Sequence, residues 1–374
     1  MKIGLLGFGT VGKGVYDLIA PRKDMAVTRV LCRRELHLPD AEVTHDFEQI
    51  LRDDSIDTVV EAMGGLHPAW DYVKAALEAG KNVITANKAM VAEFYDELLP
   101  LAQRRGVLFR CTAAVGGGIG WLSELDRARR VQHITQVSGI MNGTCNYILD
   151  SMTRLGLKYT KALDQAQLMG YAEADPSTDI DGIDTWHKLI LSANVAFGVS
   201  LNREDVPVAG IRHITAVDVQ QFKTHGLVCK LVATARMQGK SCCAYVQPTL
   251  YPMDQPEAAV PINYNLITLV GDVSGRQSFF GQGAGRYPTA YNVVQDCVDM
   301  ESGRGFYGSY GAPVRADNRQ LLRFYVRGDC DPWLEAHTAE LWGGARVTEP
   351  VPVRRMHQWL QQHPEVFLAA LPEA

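Results

Sequence analysis

The N-terminal glycine pattern constrains this chain more than any other feature. Residues 2–6, Lys-Ile-Gly-Leu-Leu, form a short apolar run, and Gly7-Phe8-Gly9-Thr10-Val11-Gly12 follows without a gap. Val15, Leu18 and Ile19 then recur at helical spacing. A Gly-x-Gly-x-x-Gly triplet alone is weak evidence, but between a strand and a helix it marks the phosphate turn of a dinucleotide-binding βαβ unit. The first glycine permits the tight turn, the second lets the backbone approach a pyrophosphate, and the third lets helix and strand pack closely. The helix N-terminus then turns free N–H groups and a partial positive charge toward the phosphates. The expected contacts are Gly7, Phe8, Gly9, Thr10, Val11 and Gly12, with Gly64 at a later turn; the bland alternative is a glycine turn with no ligand.

Further strands are expected at residues 27–32, 58–62, 82–85 and 107–110, with a helix at 68–77 that stops at Ala79-Gly80. Strands alternating with helices imply a parallel sheet covered on both faces, the α/β Rossmann arrangement. Arg33 and Arg34 follow the second strand, with Glu35 one step on. Two guanidinium groups suit a 2′-phosphate. The reading is NADP preferred and NAD usable, against two solvated surface arginines.

After about residue 120 the pattern changes. A strand at 131–140 and helices at 145–170 and 183–198 precede strand signals at 230–233, 243–246, 267–270 and 278–280. These describe an α+β domain with a mostly antiparallel sheet. A chain of 374 residues exceeds one ordinary core. The expected division is a Rossmann domain at 1–120 that takes back a helix at 285–305, a substrate and dimerisation domain at 121–284, and a short βαβα tail at 320–374.

Composition excludes several classes. The formal net charge of −5, without a long single-sign run, favours neither nucleic acid nor an anionic membrane. No apolar stretch reaches the roughly 18 residues a bilayer span needs, and residues 1–6 read as a strand rather than a signal peptide. The eight cysteines show no CxxC pair, so buried free thiols in a reducing cytoplasm are expected.

One segment is dense in ionisable groups, from Gly170-Tyr171-Ala172-Glu173-Ala174-Asp175-Pro176 through Asp179, Asp181 and Asp184 to Lys188. Asp184 and Lys188 stand four apart and share one helix face. Leu189, Ile190, Leu191 and Val195 would bury that helix. A partly desolvated lysine suits proton transfer, and clustered carboxylates suit a substrate ammonium. A solvated acidic loop with an ordinary helix salt bridge is the alternative.

Four motifs in order carry a family resemblance. Thr85-Ala86-Asn87-Lys88-Ala89 comes first, then Asn142-Gly143-Thr144-Cys145-Asn146-Tyr147-Ile148-Leu149. Gly170, Tyr171, Glu173, Asp175, Pro176, Asp179, Gly182, Asp184 and Lys188 form the third, and residues 281–290, Gly-x-Gly-Ala-Gly-x-x-Pro-Thr-Ala, the fourth. Over about residues 3–300 the chain resembles the homoserine dehydrogenases. The resemblance implies reversible, nicotinamide-dependent reduction of L-aspartate 4-semialdehyde to L-homoserine, on the route to threonine, methionine and isoleucine.

It further implies Lys188 as general acid, and Lys88 as a second lysine near the reacting carbon or a cofactor-phosphate contact. Asp184 and Asp179 would orient the lysine or the substrate. Glu173, Tyr171, Gly143 and Thr144 would line the pocket for the amino acid's polar end, and Gly283 and Ala284 would lie near the nicotinamide. A homodimer or a dimer of dimers is the expected assembly. A paralogue acting on another small amino-aldehyde or keto acid, or a weakly catalytic NADP-binding sensor, is the alternative.

The chain departs from the family at residues 111–120. Thr112 stands where the family has Glu, Ala114 where it has Ser, and Gly120 where it has Pro. Cys145 replaces Thr or Ser. That Glu, with neighbouring carbonyls, resembles a monovalent-cation site. Here the candidates are Thr112, Val115, Gly117 and Ile119, without a charged ligand, so no metal is assigned. Relatives also carry a C-terminal βαββαβ domain. The tail here, read as strand 322–327, helix 333–341, strand 345–348 and helix 353–371, is expected to be too short for a complete one.

Overall fold

The computed structural model describes residues 1–239, 241–305 and 311–371. Two compact units emerge: residues 1–131 with 194–200 and 281–312, and residues 132–193 with 201–280 and 313–374.

The first unit is built on a six-stranded sheet in the order β3-β2-β1-β4-β5-β6, where β1 is Lys2–Leu6, β2 Ala26–Leu31, β3 Glu42–Thr44, β4 Thr58–Glu61, β5 Asn82–Thr85 and β6 Phe109–Arg110. Every pairing is parallel. Helices cover both faces, so the strands read as unbroken apolar runs: Ile3, Leu5, Leu6, Val59, Val60, Val83 and Ile84 are fully buried. The order reverses between β1 and β4, and ligands of such sheets bind at the carboxyl ends beside that switch. The helix after β1, α1 (Thr10–Ile19), packs on the helix Arg286–Glu301. A Cβ at Gly14 would stand 2.8 Å from the Arg286 carbonyl oxygen, so only glycine allows this approach. The helix Trp121–Arg129 belongs to this unit, which runs past the composition change at about residue 120.

The second unit contains a nine-stranded sheet. Its order is Gly275–Gln282, Tyr264–Gly271, Ile134–Ile140, Leu227–Gln238, Ser241–Pro252, Phe367–Ala370, Phe324–Arg327, Ala345–Thr348, Thr338–Trp342. From Tyr264–Gly271 to Thr338–Trp342 the pairings are antiparallel except for Thr249 with Ala370, as the sequence implies. The long hairpin 227–252 keeps one register from Leu227↔Pro252 to Ser241↔Gln238.

The tail corrects two expectations. It is not βαβα and it is not too short. It runs Phe324–Arg327, helix Pro332–Ala336, Thr338–Trp342, Ala345–Thr348, helix Val353–Gln361, Phe367–Ala370. That is a complete βαββαβ module with strand order 4-1-3-2, and its fourth strand joins the larger sheet. The expected helix 333–341 breaks because Gly343 and Gly344, at φ +55 and +93, form a two-residue hairpin turn. The expected helix 353–371 stops at Gln361, and its apolar end pairs as a strand with Phe324–Arg327. Buried Asp218 anchors the module by accepting from the Tyr325 hydroxyl at 2.8 Å and Arg327 Nε at 2.6 Å.

Among the described residues, no helix is long and apolar enough to cross a membrane. All eight cysteines are free thiols.

Candidate active site

The glycine turn in the first unit has the geometry its sequence requires. Gly7 sits at φ +94, and a Cβ there would lie 2.8 Å from the Ala62 carbonyl oxygen. A Cβ at Gly12 would lie 2.1 Å from the Gly7 carbonyl oxygen. At Gly9 a Cβ would meet nothing within 4 Å, so the backbone there faces an open cradle. Gly9 caps α1 without a side-chain bond, which leaves the first-turn N–H groups of Thr10, Val11 and Gly12 for an anion. A cavity of about 810 Å³ extends from Gly7, Phe8 and Gly9 along Arg33, Arg34 and Gly64. These residues fit a dinucleotide.

Arg33 and Arg34 are both exposed. Arg34 donates through Nη2 to the Phe8 carbonyl at 2.9 Å, which braces the glycine turn. His45, not singled out in the sequence, joins them at the cavity wall. Its Nδ1 lies 2.5 Å from the Cys32 carbonyl and its Nε2 3.0 Å from Glu35, and the Glu35 bond, then the Cys32 bond, raise its pKa.

Lys88 opens the helix Lys88–Glu93, and Asn87 caps it by accepting from Met90 N at 3.2 Å. Behind it lies Glu61, fully buried at the end of β4. Its Oε1 accepts from Met63 N at 2.7 Å and Gly64 N at 3.2 Å, and its Oε2 from the Thr85 hydroxyl at 2.5 Å. Asn87 N donates to Thr85 Oγ1 and Asn87 Nδ2 to the Gly65 carbonyl. Glu61 thus ties the Gly64 turn to the Lys88 turn. Burial raises its pKa, against the Thr85, Met63 and Gly64 bonds. An acid ending an apolar strand was its available signal.

Gly283 and Ala284 precede the helix Arg286–Glu301 in the first unit. A Cβ at Gly117 would stand 2.5 Å from the Gly283 carbonyl carbon, so the 111–120 loop packs against that turn.

The remaining residues lie in the second unit. The helix Ile183–Phe197 carries Asp184 and Lys188 one turn apart, 6% and 8% exposed. Lys188 Nζ lies 2.8 Å from Asp184 Oδ2 and donates to the Met141 carbonyl at 2.6 Å. Asn142 donates through Nδ2 to Asp179 Oδ1 at 2.7 Å and Asp184 Oδ2 at 2.8 Å. Its own Oδ1 accepts from Cys145 N and caps the helix Gly143–Leu155. The family motif alone gives Asn142 no role, but an Asn before Gly-Thr at a helix start is a capping signal. Burial, then repulsion from Asp184, raises the Asp179 pKa. The solvated-loop reading therefore fails for Asp184 and Lys188, which are buried, and for half-buried Asp179, which joins their network.

Thr144 donates its hydroxyl to the Tyr171 carbonyl at 2.5 Å. Gly143 lies so close to Asn263 that a Cβ would meet its carbonyl oxygen at 2.7 Å. Glu173 is exposed, and its backbone carbonyl accepts from Gln167. Cys145 donates its thiol to the Asp179 carbonyl at 3.1 Å, and burial, then the Asp179 charge, raises its pKa.

Among the four cation candidates, Thr112, Gly117 and Ile119 have their oxygens engaged in other bonds. Thr112 gives its hydroxyl to Asp296 Oδ1 at 2.7 Å. The Gly117 carbonyl accepts from Asn292 Nδ2, and the Ile119 carbonyl from Trp121 N at 2.7 Å. Among the described residues, no group of three or more His, Cys, Asp or Glu is disposed to hold a metal. Gly120 has φ −72, a value proline also adopts, so this departure leaves the local path unchanged.

A phosphate-binding Rossmann unit, with a buried lysine–aspartate pair in the following unit, defines an NAD(P)-dependent oxidoreductase. The family model described as homoserine dehydrogenase matches residues 121–298, and that described as homoserine dehydrogenase, NAD binding domain, matches residues 7–111. A homoserine dehydrogenase of Synechocystis is 40% identical over 316 residues, 80% of this chain and 73% of its own. That of Bacillus subtilis is 34% identical over 355 residues, 88% and 82% of the two chains. The crystal structure of a homoserine dehydrogenase from Thiobacillus denitrificans superposes with a TM-score of 0.88 at 29% identity, covering 100% of this chain and 98% of that one. The chain belongs to the homoserine dehydrogenase family, oxidoreductases that act on a CH–OH group with NAD(P).

Proposed function

We propose that this chain interconverts L-homoserine and L-aspartate 4-semialdehyde with Lys188 as the proton-transferring group. The observation that carries the reading is the buried Lys188–Asp184 pair held by Asn142. Bound NAD(P)H supplies a hydride to the aldehyde carbon. The charge that develops on oxygen needs an ammonium beside it. Two of the three Lys188 donors are engaged, by the Met141 carbonyl and Asp184, and the third is directed at the substrate oxygen in this reading. Asp184 holds the lysine in place. Asp179 and Asn142 fix Asp184 in turn.

Glu173, Tyr171, Gly143 and Thr144 receive the ammonium and carboxylate of the amino acid. Lys88, beside the cofactor turn, contacts the substrate or a cofactor phosphate. Gly7 to Gly12 and Gly64 hold the pyrophosphate, and Gly283 and Ala284 adjoin the nicotinamide. NADP is the preferred partner because Arg33 and Arg34, both exposed at the cavity wall, are available to a 2′-phosphate, with Arg34 also bracing the turn. The assembly is a homodimer or a dimer of dimers. The setting is the cytoplasm, which suits eight free thiols.

The test is absorbance at the reduced-nicotinamide band with L-homoserine and each cofactor. Homoserine-dependent reduction with a kcat/KM ratio favouring NADP supports the reading. Equal ratios remove the cofactor preference, and a signal with other amino-alcohols but not homoserine removes the substrate.

A further inference from the structure

We infer that Asn292 takes over, in this chain, the loop-fixing task of the monovalent cation that the family resemblance implies, so that residues 112–120 are held by protein donors without an ion. Asn292 and Asp296 stand four apart on the helix Arg286–Glu301 and face the same loop, 2% and 0% exposed. They pin it at two points.

At the first, Asp296 accepts both the Thr112 hydroxyl, at 2.7 Å, and the Thr112 N–H, at 2.9 Å. At the second, the Asn292 amide donates to the Gly117 carbonyl. The charge an ion would bring is already present. Arg110, 4% exposed, reaches Asp296 at 2.8 Å and Asp299 at 2.7 Å, and its Nη2 donates to Ser123 at 3.1 Å. An added cation would meet a neutral hydroxyl whose proton is committed, two carbonyls that already accept N–H groups, an Asp296 carboxylate already paired with Arg110, and that buried guanidinium of like sign. Hard cations need several oxygen lone pairs turned toward them, and these are turned elsewhere.

The pinned loop bears on the cofactor turn. Gly118 N donates to the Gln282 carbonyl at 2.9 Å, and Gly117 packs onto Gly283 and Ala284. Asn292 is therefore a positioning residue for that turn, an inference that rests on reading Gly283 and Ala284 as nicotinamide contacts.

Asn292→Asp tests it. The substitution keeps the shape but sets a carboxyl against the Gly117 carbonyl, which an intervening cation or the carboxyl's own proton reconciles, so the assays run at alkaline pH to disfavour the proton. In the full chain, NADPH affinity and melting temperature are measured in sodium, potassium and choline chloride at equal ionic strength. For the native protein, NADPH affinity should differ by less than twofold among the salts. For Asn292→Asp it should fall at least fivefold in choline and recover in sodium or potassium. Asn292→Ala should weaken NADPH binding similarly in all three.

A native protein that loses threefold or more in choline would overturn the inference, because an ion would then be in use. So would Asn292→Asp and Asn292→Ala binding NADPH and melting like the native protein in every salt. If the melting temperature of Asn292→Asp depends on the cation while NADPH affinity stays native, the inference stands and the nicotinamide reading of Gly283 and Ala284 falls.

Discussion

Replacing Lys188 by methionine separates its electrostatic and chemical roles. The side chain keeps its approximate volume and loses its charge. Asp184, 6% exposed, keeps the Asn142 amide and loses the Lys188 counter-charge. Breaking a buried ion pair by removing one partner costs about 3–5 kcal/mol, most of it the stranded charge. Lys188→Met should therefore lose about that much stability in urea. Asp184→Asn with Lys188→Met removes both charges and leaves the Asn142 donor an oxygen to meet, so most of that stability should return. Turnover should not return. Loss of the ammonium removes about 10²- to 10⁴-fold from kcat, and no neutral pair at 184 and 188 replaces it. Steady-state assays with homoserine and urea titrations on all variants give the comparison. A double variant that regains turnover along with stability would refute the chemical role. A single variant as stable as the native protein would refute the buried-charge argument.

Three further outcomes follow from the geometry. Arg33→Ser should lower kcat/KM for NADP by about ten- to a hundredfold, the worth of one charge-assisted contact, and leave NAD nearly unchanged; Arg34→Ala should impair both, since Arg34 braces the Phe8 carbonyl. Glu61→Gln keeps an acceptor for Met63 and Gly64 and should melt within a few degrees of the native protein, whereas Glu61→Ala leaves buried donors unmatched at about 1–3 kcal/mol each; equal melting of the two would disprove the hub. His357, buried against Gln247, has its pKa lowered by burial to about 4 from 6.5. The unfolded chain then binds the extra proton, so this contribution is complete above pH 6.5 and is lost as pH falls toward 4. Urea midpoints should show His357→Gln losing less stability than the native protein between pH 7 and 5, by about 2 kcal/mol; parallel curves would contradict it.

Legibility tracked the range of the forces involved. The glycine turn, the parallel strands and the Asp184–Lys188 spacing are local patterns, and each was readable from neighbours in sequence. Asn142 bridging Asp179 and Asp184 needed the helix start near residue 143 to meet the helix start near 183, which no periodicity reports. The tail misled because residues 333–341 and 353–371 carry helix-compatible composition. The Gly343-Gly344 turn and the pairing of Phe367–Ala370 with Phe324–Arg327 overrode it. The bond from Arg34 to the Phe8 carbonyl, across 26 residues, was likewise outside any local pattern. Asn292 gave no signal, since its partner Gly117 is 175 residues away.

The most direct test of the account is homoserine oxidation by the native protein and Lys188→Met at saturating NADP, with NADPH affinity measured on both. The account predicts homoserine-dependent reduction by the native protein, a drop of about 10²- to 10⁴-fold in the variant, and NADPH affinities within twofold of each other. Native-like turnover in the variant, or no homoserine-dependent signal from the native protein, would contradict it.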